Sequence, residues 1–371
     1  MTIRFPGIIL FFLLSLTASA QPPCKSNIHI GLAYPLSSNW IHAGDYTNYF
    51  SLHALLGVSA GERSFCAAGF SNVVRQDATG FIAAGFSNHI LNRAEGVQLA
   101  GFVNTIRNEA NGFTAAGFMN ITGRVRGLQT AGFGNISTSA VNGLQAAGFV
   151  NIAAGNATAQ ISGFANIAED VEGLQASGFI NKAKNVNTQV GGFINIARQV
   201  SGVQIAGFIN IADSNDYPIG IVNIIRNGEQ NLGVTVDEAL TTLVSFRSGG
   251  RVLYGILGAG VNLREEKTLY ALEAGIGAHI RLSPSFRINL EGTTMTLADF
   301  EPGTHFRSSL RVLPAIRAGR LEFFAGPTIN HAIFSDHKGA DLVYGYLWST
   351  DRIDHYHGIY LGATGGVQFQ L

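Results

Sequence analysis

The side chains best suited to chemistry gather near the C-terminus: His331, Asp336, His337, Asp341, Asp354, His355 and His357. Imidazole and carboxylate are common ligands of Zn²⁺ and similar ions, and His355-x-His357 would offer two ring nitrogens from one loop. No second fixed spacing accompanies them, so His337, His355 and His357 are metal candidates without a motif, and a polar loop rich in His is the simpler reading. Ser335 near His337, or Ser349 near His355, would suit the nucleophile and base of a lipid-modifying hydrolase. Neither pair lies in a recognisable signature. The glycine pairs lack the Lys and Ser/Thr of a phosphate cradle, and no basic–aromatic stripe points to nucleic acid. Acidic and basic residues balance at 24 each, so charge implies no polyanionic partner. The expectation is a non-enzymatic protein with no cofactor.

Whatever these groups do, they are carried by a chain dominated by one phrase. Gly69-Phe70-Ser71-Asn72 recurs eleven times, ending at Gly220-Ile221-Val222-Asn223, with glycine-to-glycine steps of 16, 16, 16, 15, 16, 15, 15, 14, 15 and 13 residues. A fixed period of this kind marks a repeat architecture. Its recurring residues are Asn72, Asn88, Asn104, Asn120, Asn135, Asn151, Asn166, Asn181, Asn195, Asn210 and Asn223, with Phe70, Phe86, Phe102, Phe118, Phe133, Phe149, Phe164, Phe179, Phe193 and Phe208. The full unit is G-[LV]-Q-x-A-G-F-x-N-I-A, cleanest at Gly143 to Ala153. Period-2 alternation puts Leu144, Ala146, Gly148, Val150 and Ile152 on one face, with Gln145, Ala147, Phe149 and Asn151 on the other. Two glycines per unit, each costing a helix about 1 kcal/mol, exclude helix.

Two β architectures fit. In a parallel solenoid each unit is one coil, and Asn stacks on Asn and Phe on Phe; amides then bond along a ladder and rings stack. In a membrane barrel each unit is one strand, and the repeats together with the C-terminal strands would close a pore of about twenty strands. Antiparallel strands grown by duplication repeat as hairpins of about 30 residues, twice the observed period, which favours the solenoid. The glycine before Phe either turns a corner at positive φ or lets neighbouring backbones approach closely.

Beyond Asn223 the period stops. Tyr270 to Leu282 alternates apolar with polar or small residues for longer than soluble strands usually run. Similar stretches at 231–236, 241–246, 251–263, 286–297, 305–318, 321–334 and 357–371 make about eight strands, the smallest membrane-barrel size. Glu273, His279, Arg281, Arg287, Asn289, Glu291, Arg311, Arg317 and Glu322 fall on the polar faces, where they would pair inside a closed barrel. Tight turns at Ser283-Pro284 and Gly319 contrast with the long 335–354 connection.

The N-terminal 20 residues read as a secretory signal: Arg4, an apolar Ile8 to Leu16, and Ala18-Ser19-Ala20 before the cut. An exported chain with no later run of 18 apolar residues has no transmembrane helix, and only an outer-membrane address requires a closed barrel. Cys24 and Cys66 are a possible disulfide in an oxidising compartment. Hydrophobic residues make up 46% and charged residues 13% of the 371, with 46 Gly, which is too apolar for disorder and too charge-poor for an ordinary soluble enzyme.

The repeat unit, the lead-in Tyr46-Thr47-Asn48-Tyr49-Phe50-Ser51-Leu52, the exit Tyr217-Pro218-Ile219-Gly220-Ile221-Val222-Asn223-Ile224 and the stretch Phe246-Arg247-Ser248-Gly249-Gly250 resemble surface-repeat proteins of Gram-negative outer membranes. That resemblance implies cell-envelope placement and no particular chemistry. The chain ends in Leu371, where outer-membrane barrels usually end in an aromatic residue; Phe369 lies on the same face. The expected organisation is a signal at 1–20, lead-in strands at 21–60, eleven repeats at 61–227 as a parallel β-solenoid, and an antiparallel β-barrel at 228–371. Outer-membrane lipid and an unknown surface partner are the expected contacts, with no nucleic acid.

Overall fold

The computed structural model describes residues 24–264, 269–298, 305–335, 345–352 and 355–371. Residues 24–225 form one 24-stranded sheet wound into a parallel solenoid, and residues 229–370 form a second sheet that closes into an antiparallel eight-stranded barrel. The repeats therefore do not join the C-terminal strands in one large pore. The lead-in belongs to the solenoid: Cys24–Ala33 pairs in parallel with Tyr46–Ser59, which pairs in parallel with Gly61–Ala68 and with Ser71–Val74.

Each repeat is a coil of two strands, such as Val141–Ala147 and Val150–Ala153. Equivalent residues stand in register from coil to coil, Gln145 on Gln160 and Asn151 on Asn166. The Gly-Phe pair lies at a corner between the strands, and this corner corrects the single-face reading of the unit. Alternation restarts there, so Gln145 and Asn151 point inward while Phe149 points out. The glycine before Phe takes the close-approach role: a methyl group on Gly148 would land on the carbonyl oxygen of Gly132 in the preceding coil. Positive φ belongs to the other glycine of the unit, with Gly127 at φ 120° and Gly143 at φ 143°.

The barrel strands are Glu229–Asp237, Thr241–Gly249, Leu253–Asn262, Leu269–Arg281, Phe286–Ala298, His305–Ala318, Leu321–Phe334 and His355–Gln370. The last pairs with the first and closes the cylinder. A ninth strand, Trp348–Arg352, pairs with His355–Gln370 inside the stretch expected to be loop. The connections 250–252, 282–285 and 319–320, both barrel termini and the solenoid share one end of the barrel. The short 238–240 connection lies at the other end, together with the strand ends Asn262, Leu269, Ala298, His305 and Phe334.

Candidate functional site

The solenoid interior is built on amides. Each repeated Asn is 0–1% exposed. Its Nδ2 donates to Oδ1 of the Asn in the following coil at 2.9–3.0 Å, from Asn72 through Asn210 to Asn223. The same Nδ2 donates to a backbone carbonyl of that coil at 2.6–2.9 Å. A second ladder runs oppositely: Gln145, Gln160, Gln175, Gln189 and Gln204 each donate backward to the preceding Gln at 2.7–2.9 Å. Buried amides are tolerated in these two ladders because they find partners at the coil spacing; Gln98 Nε2, ahead of the Gln ladder, has none among the described residues.

The Phe residues make the opposite surface. Ten rings from Phe70 to Phe208 stack face to face, with centroids 4.7–5.2 Å apart and planes within 14°. They line the outside of the corner and are 36–53% exposed.

A buried polar cluster closes the N-terminal end, and nothing in the sequence marks it as a group. Ser51 Oγ donates to both oxygens of Glu62, at 2.9 and 2.8 Å, and Asn48 Nδ2 donates to Oε1 at 3.2 Å. His29 hydrogen-bonds Asn48 and Ser37 and packs edge-on against His53 at 4.4 Å between ring centroids. Burial pushes the Glu62 carboxyl up to about 7 against the pull of Ser51 and its other hydrogen bonds. Burial, followed by the neighbouring His29, takes His53 down to about 4. Glu62, Ser51, His29 and His53 are at most 3% exposed, so no substrate reaches them and the cluster serves as a cap.

Cys66 belongs to this cap. Its Sγ donates to Asn72 Oδ1 at 3.2 Å, supplying the donor that the first ladder Asn lacks. Burial and then Glu62 push its thiol up, away from the reactive thiolate. The possible disulfide is not formed: both cysteines are free. Cys24 stands opposite Tyr46, whereas Cys66 stands opposite Ser51, which itself faces His29. An offset of five positions at ~3.3 Å each is far beyond the reach of a disulfide.

The barrel is polar inside and apolar outside. Arg247 and Glu291 pair at 2.8 Å, with Tyr254 donating to the same carboxylate at 3.0 Å. Glu229 accepts from Arg287 and Arg281 at 2.6 Å and from Arg317 at 2.7 Å, and Arg287 lies 2.7 Å from Glu322. Arg311 bonds Glu273, and Arg307 bonds Asp237. These groups fill the lumen, as eight strands allow. Leu272, Ile276, Leu310, Ile316 and Ile329 stand exposed outside, as does Phe369, which alternates outward beside Leu232 and Leu321.

Of the histidine cluster, the structure brings together His331 and His357, whose rings stack 5.7 Å apart on the barrel wall. Asp336, His337, Asp341 and Asp354 lie outside the described residues, as does the Ser335–His337 pairing. The backbone of His355 stands opposite Arg352, three positions from Ser349. Among the described residues no group of three or more His, Cys, Asp or Glu is arranged to hold a metal.

The two modules meet at a seat of small residues. Asn223, last of its ladder, donates from its backbone N–H to Ser248 Oγ at 3.0 Å and from Nδ2 to Ser248 O at 3.2 Å. Gly220 and Ile221 cover the outer side of Gly255, where a methyl would strike their carbonyls. Arg251, in the adjoining tight turn, grips Asp216 at 2.8 and 2.9 Å and holds that carboxyl below its usual range. Ser248 and Gly250 lie in the downstream stretch of the family resemblance, so that stretch is part of the junction. No protein family, curated protein or solved structure matches this chain.

Proposed function

We propose that the protein is a non-enzymatic component of a Gram-negative cell envelope, in which the barrel anchors a rigid repeat module at the outer membrane. The observation that carries this is the inverted polarity of the barrel. Charged side chains are paired and buried in the lumen, while the outer wall carries Leu, Ile, Val and Phe. A soluble barrel has the reverse arrangement, and a lipid-exposed one needs this arrangement. The secretory signal and the resemblance to surface-repeat proteins agree with it. A lumen filled by Arg247, Glu291, Arg287 and Glu229 suits an anchor rather than a channel. The role of the solenoid is structural or interactive, with variable connections such as Arg124, Arg126, Glu169 and Asp170 as the positions a partner would read.

The geometry favours one side of the membrane. The solenoid leaves from the tight-turn end, and in outer-membrane barrels tight turns face the periplasm while longer loops face outward. The module is therefore proposed to lie on the periplasmic side, a revision of the surface placement that the repeats suggest by resemblance. Protease added to a Gram-negative host expressing the full chain tests both points. Residues 69–225 are expected to survive in intact cells and to be cut once the outer membrane is permeabilised. Cleavage in intact cells would reverse the orientation, and recovery of the chain in the soluble fraction after osmotic shock would remove the anchor.

A further inference from the structure

The solenoid is amphipathic in cross-section. Between Val97 and Asn223, the outward positions of the strand ends that flank the Gly-Phe corners carry mainly Phe, Ile, Val, Leu and Ala, with Thr105, Thr130 and Thr188 and a single charge, Lys182. The other charged residues, such as Arg124, Glu169, Asp170 and Asp213, lie in or next to the opposite connections. Ten exposed rings in register make a continuous apolar edge about 45 Å long at ~4.8 Å per coil. A monomer in water rarely leaves so long a stripe uncovered.

The junction shows what this edge faces. In the ladder, each Asn Nδ2 points forward along the solenoid axis to the next coil. At the last coil that direction meets Ser248 on the outer wall of the barrel. The solenoid axis thus runs into the side of the cylinder, across its strands, rather than continuing along the barrel axis. The rotation about that axis is fixed as well. The charged side, at Asn215 and Asp216, lies against Gly250 and Arg251 in the tight turn. The corner side points toward the middle of the wall. There a groove of about 620 Å³ is lined by Ala206, Gly207 and Ile221 from the solenoid and by Ile276, Leu310 and Ile329 from the barrel. The Phe edge is therefore continuous with the apolar outer wall.

We infer that the Phe edge is a lipid-contact surface: the solenoid lies flat on the bilayer, its rings in the headgroup–acyl boundary and its charged connections turned away. This rests on the reading of the barrel as a membrane anchor. If that wall faces hydrocarbon, an edge level with it meets the bilayer surface, where an amphipathic element buries its apolar side by about 5–10 Å. A lying solenoid would present its connections, rather than its rings, to soluble partners.

Single-tryptophan probes in the full chain, with Trp40 and Trp348 replaced by Phe, test the inference in phosphatidylcholine vesicles with brominated acyl chains. Phe149→Trp should lose emission on bromination, as Leu310→Trp on the barrel wall should, while Glu169→Trp on the opposite connection should not. Val150→Trp, on the same edge outside the stack, repeats the test if the larger ring disturbs stacking. Quenching of Leu310→Trp without quenching of either edge probe would overturn the inference and leave the anchor standing. An unquenched edge in a protein that sediments as a dimer would assign the stripe to a second copy and also overturn it. Quenching at no position would remove the anchor and this inference with it.

Discussion

Replacing Asn135 tests the amide ladder at its middle. Its Oδ1 accepts from Asn120 Nδ2 at 2.9 Å, and its Nδ2 donates to Asn151 Oδ1 at 2.9 Å and Ala146 O at 2.8 Å. In Asn135→Ala, Asn120 keeps its bond to Thr130 O, but Asn151 Oδ1 loses its ladder donor in a dry interior. An orphaned buried acceptor costs ~1–3 kcal/mol, and a weakened donor and a small void bring the total to about 3–5 kcal/mol. In a one-dimensional stack that loss is local. Amide hydrogen exchange of the full chain in detergent, read on peptides spanning 119–153, should show protection falling by roughly 10²–10³-fold, at ~1.4 kcal/mol per decade. Asn156→Ala, in an exposed connection, should leave it unchanged. Asn135→Asp should be worse at neutral pH, because a buried carboxylate has nothing to donate. Its folded-state pKa is then raised, so stability returns as pH falls through that value and the protonated acid donates once more. Equal protection in wild type and Asn135→Ala would refute the ladder as a source of stability.

The N-terminal cap gives a pH signature. Glu62, raised from 4.5 to about 7, favours the folded state when protonated and loses ~3 kcal/mol as pH rises through that window. His53, lowered from 6.5 to about 4, favours it when neutral and loses a similar amount as pH falls. The two nearly cancel, so thermal melting of Glu62→Gln should reveal a stability gain of about 2 kcal/mol between pH 5 and 8; a flat profile would contradict the cap. In the barrel, Arg311→Glu would set a carboxylate against Glu273 and Glu291 and should cost at least ~3–5 kcal/mol, lowering the melting temperature in detergent. Cys24 should react with a thiol reagent in the native protein and Cys66 only after unfolding, with no mass change on reduction.

Much of this is legible from period and alternation. Stacked coils enforce a unit repeat, so the Gly-Phe-Asn spacing favours the solenoid over the large barrel, and the two strands His305–Ala318 and Leu321–Phe334 stand where unbroken alternation places them. What stays hidden is which side is inside. Hydropathy would bury Phe149 and expose Asn151; the structure does the opposite, because the corner after Ala147 resets the alternation and the register gives Asn151 both an amide and a carbonyl partner. The strand Trp348–Arg352 escapes a sequence reading because it sits inside a polar stretch that reads as loop. The junction is invisible for another reason: Asn223 and Ser248 are 25 positions apart, and nothing in either residue announces the contact. The cap is similar, since Glu62 becomes unusual only when Asn48 and Ser51 bury it.

The apolar outer wall of the barrel is proposed to face hydrocarbon. Dilution of the urea-unfolded full chain into buffer, with and without phosphatidylcholine vesicles, followed by flotation at alkaline pH, tests it most directly. The predicted result is a β-rich protein that floats with the vesicles and resists alkaline extraction, and aggregation where no vesicles are present. A monodisperse, folded monomer in plain buffer, left behind when the vesicles float, would contradict it.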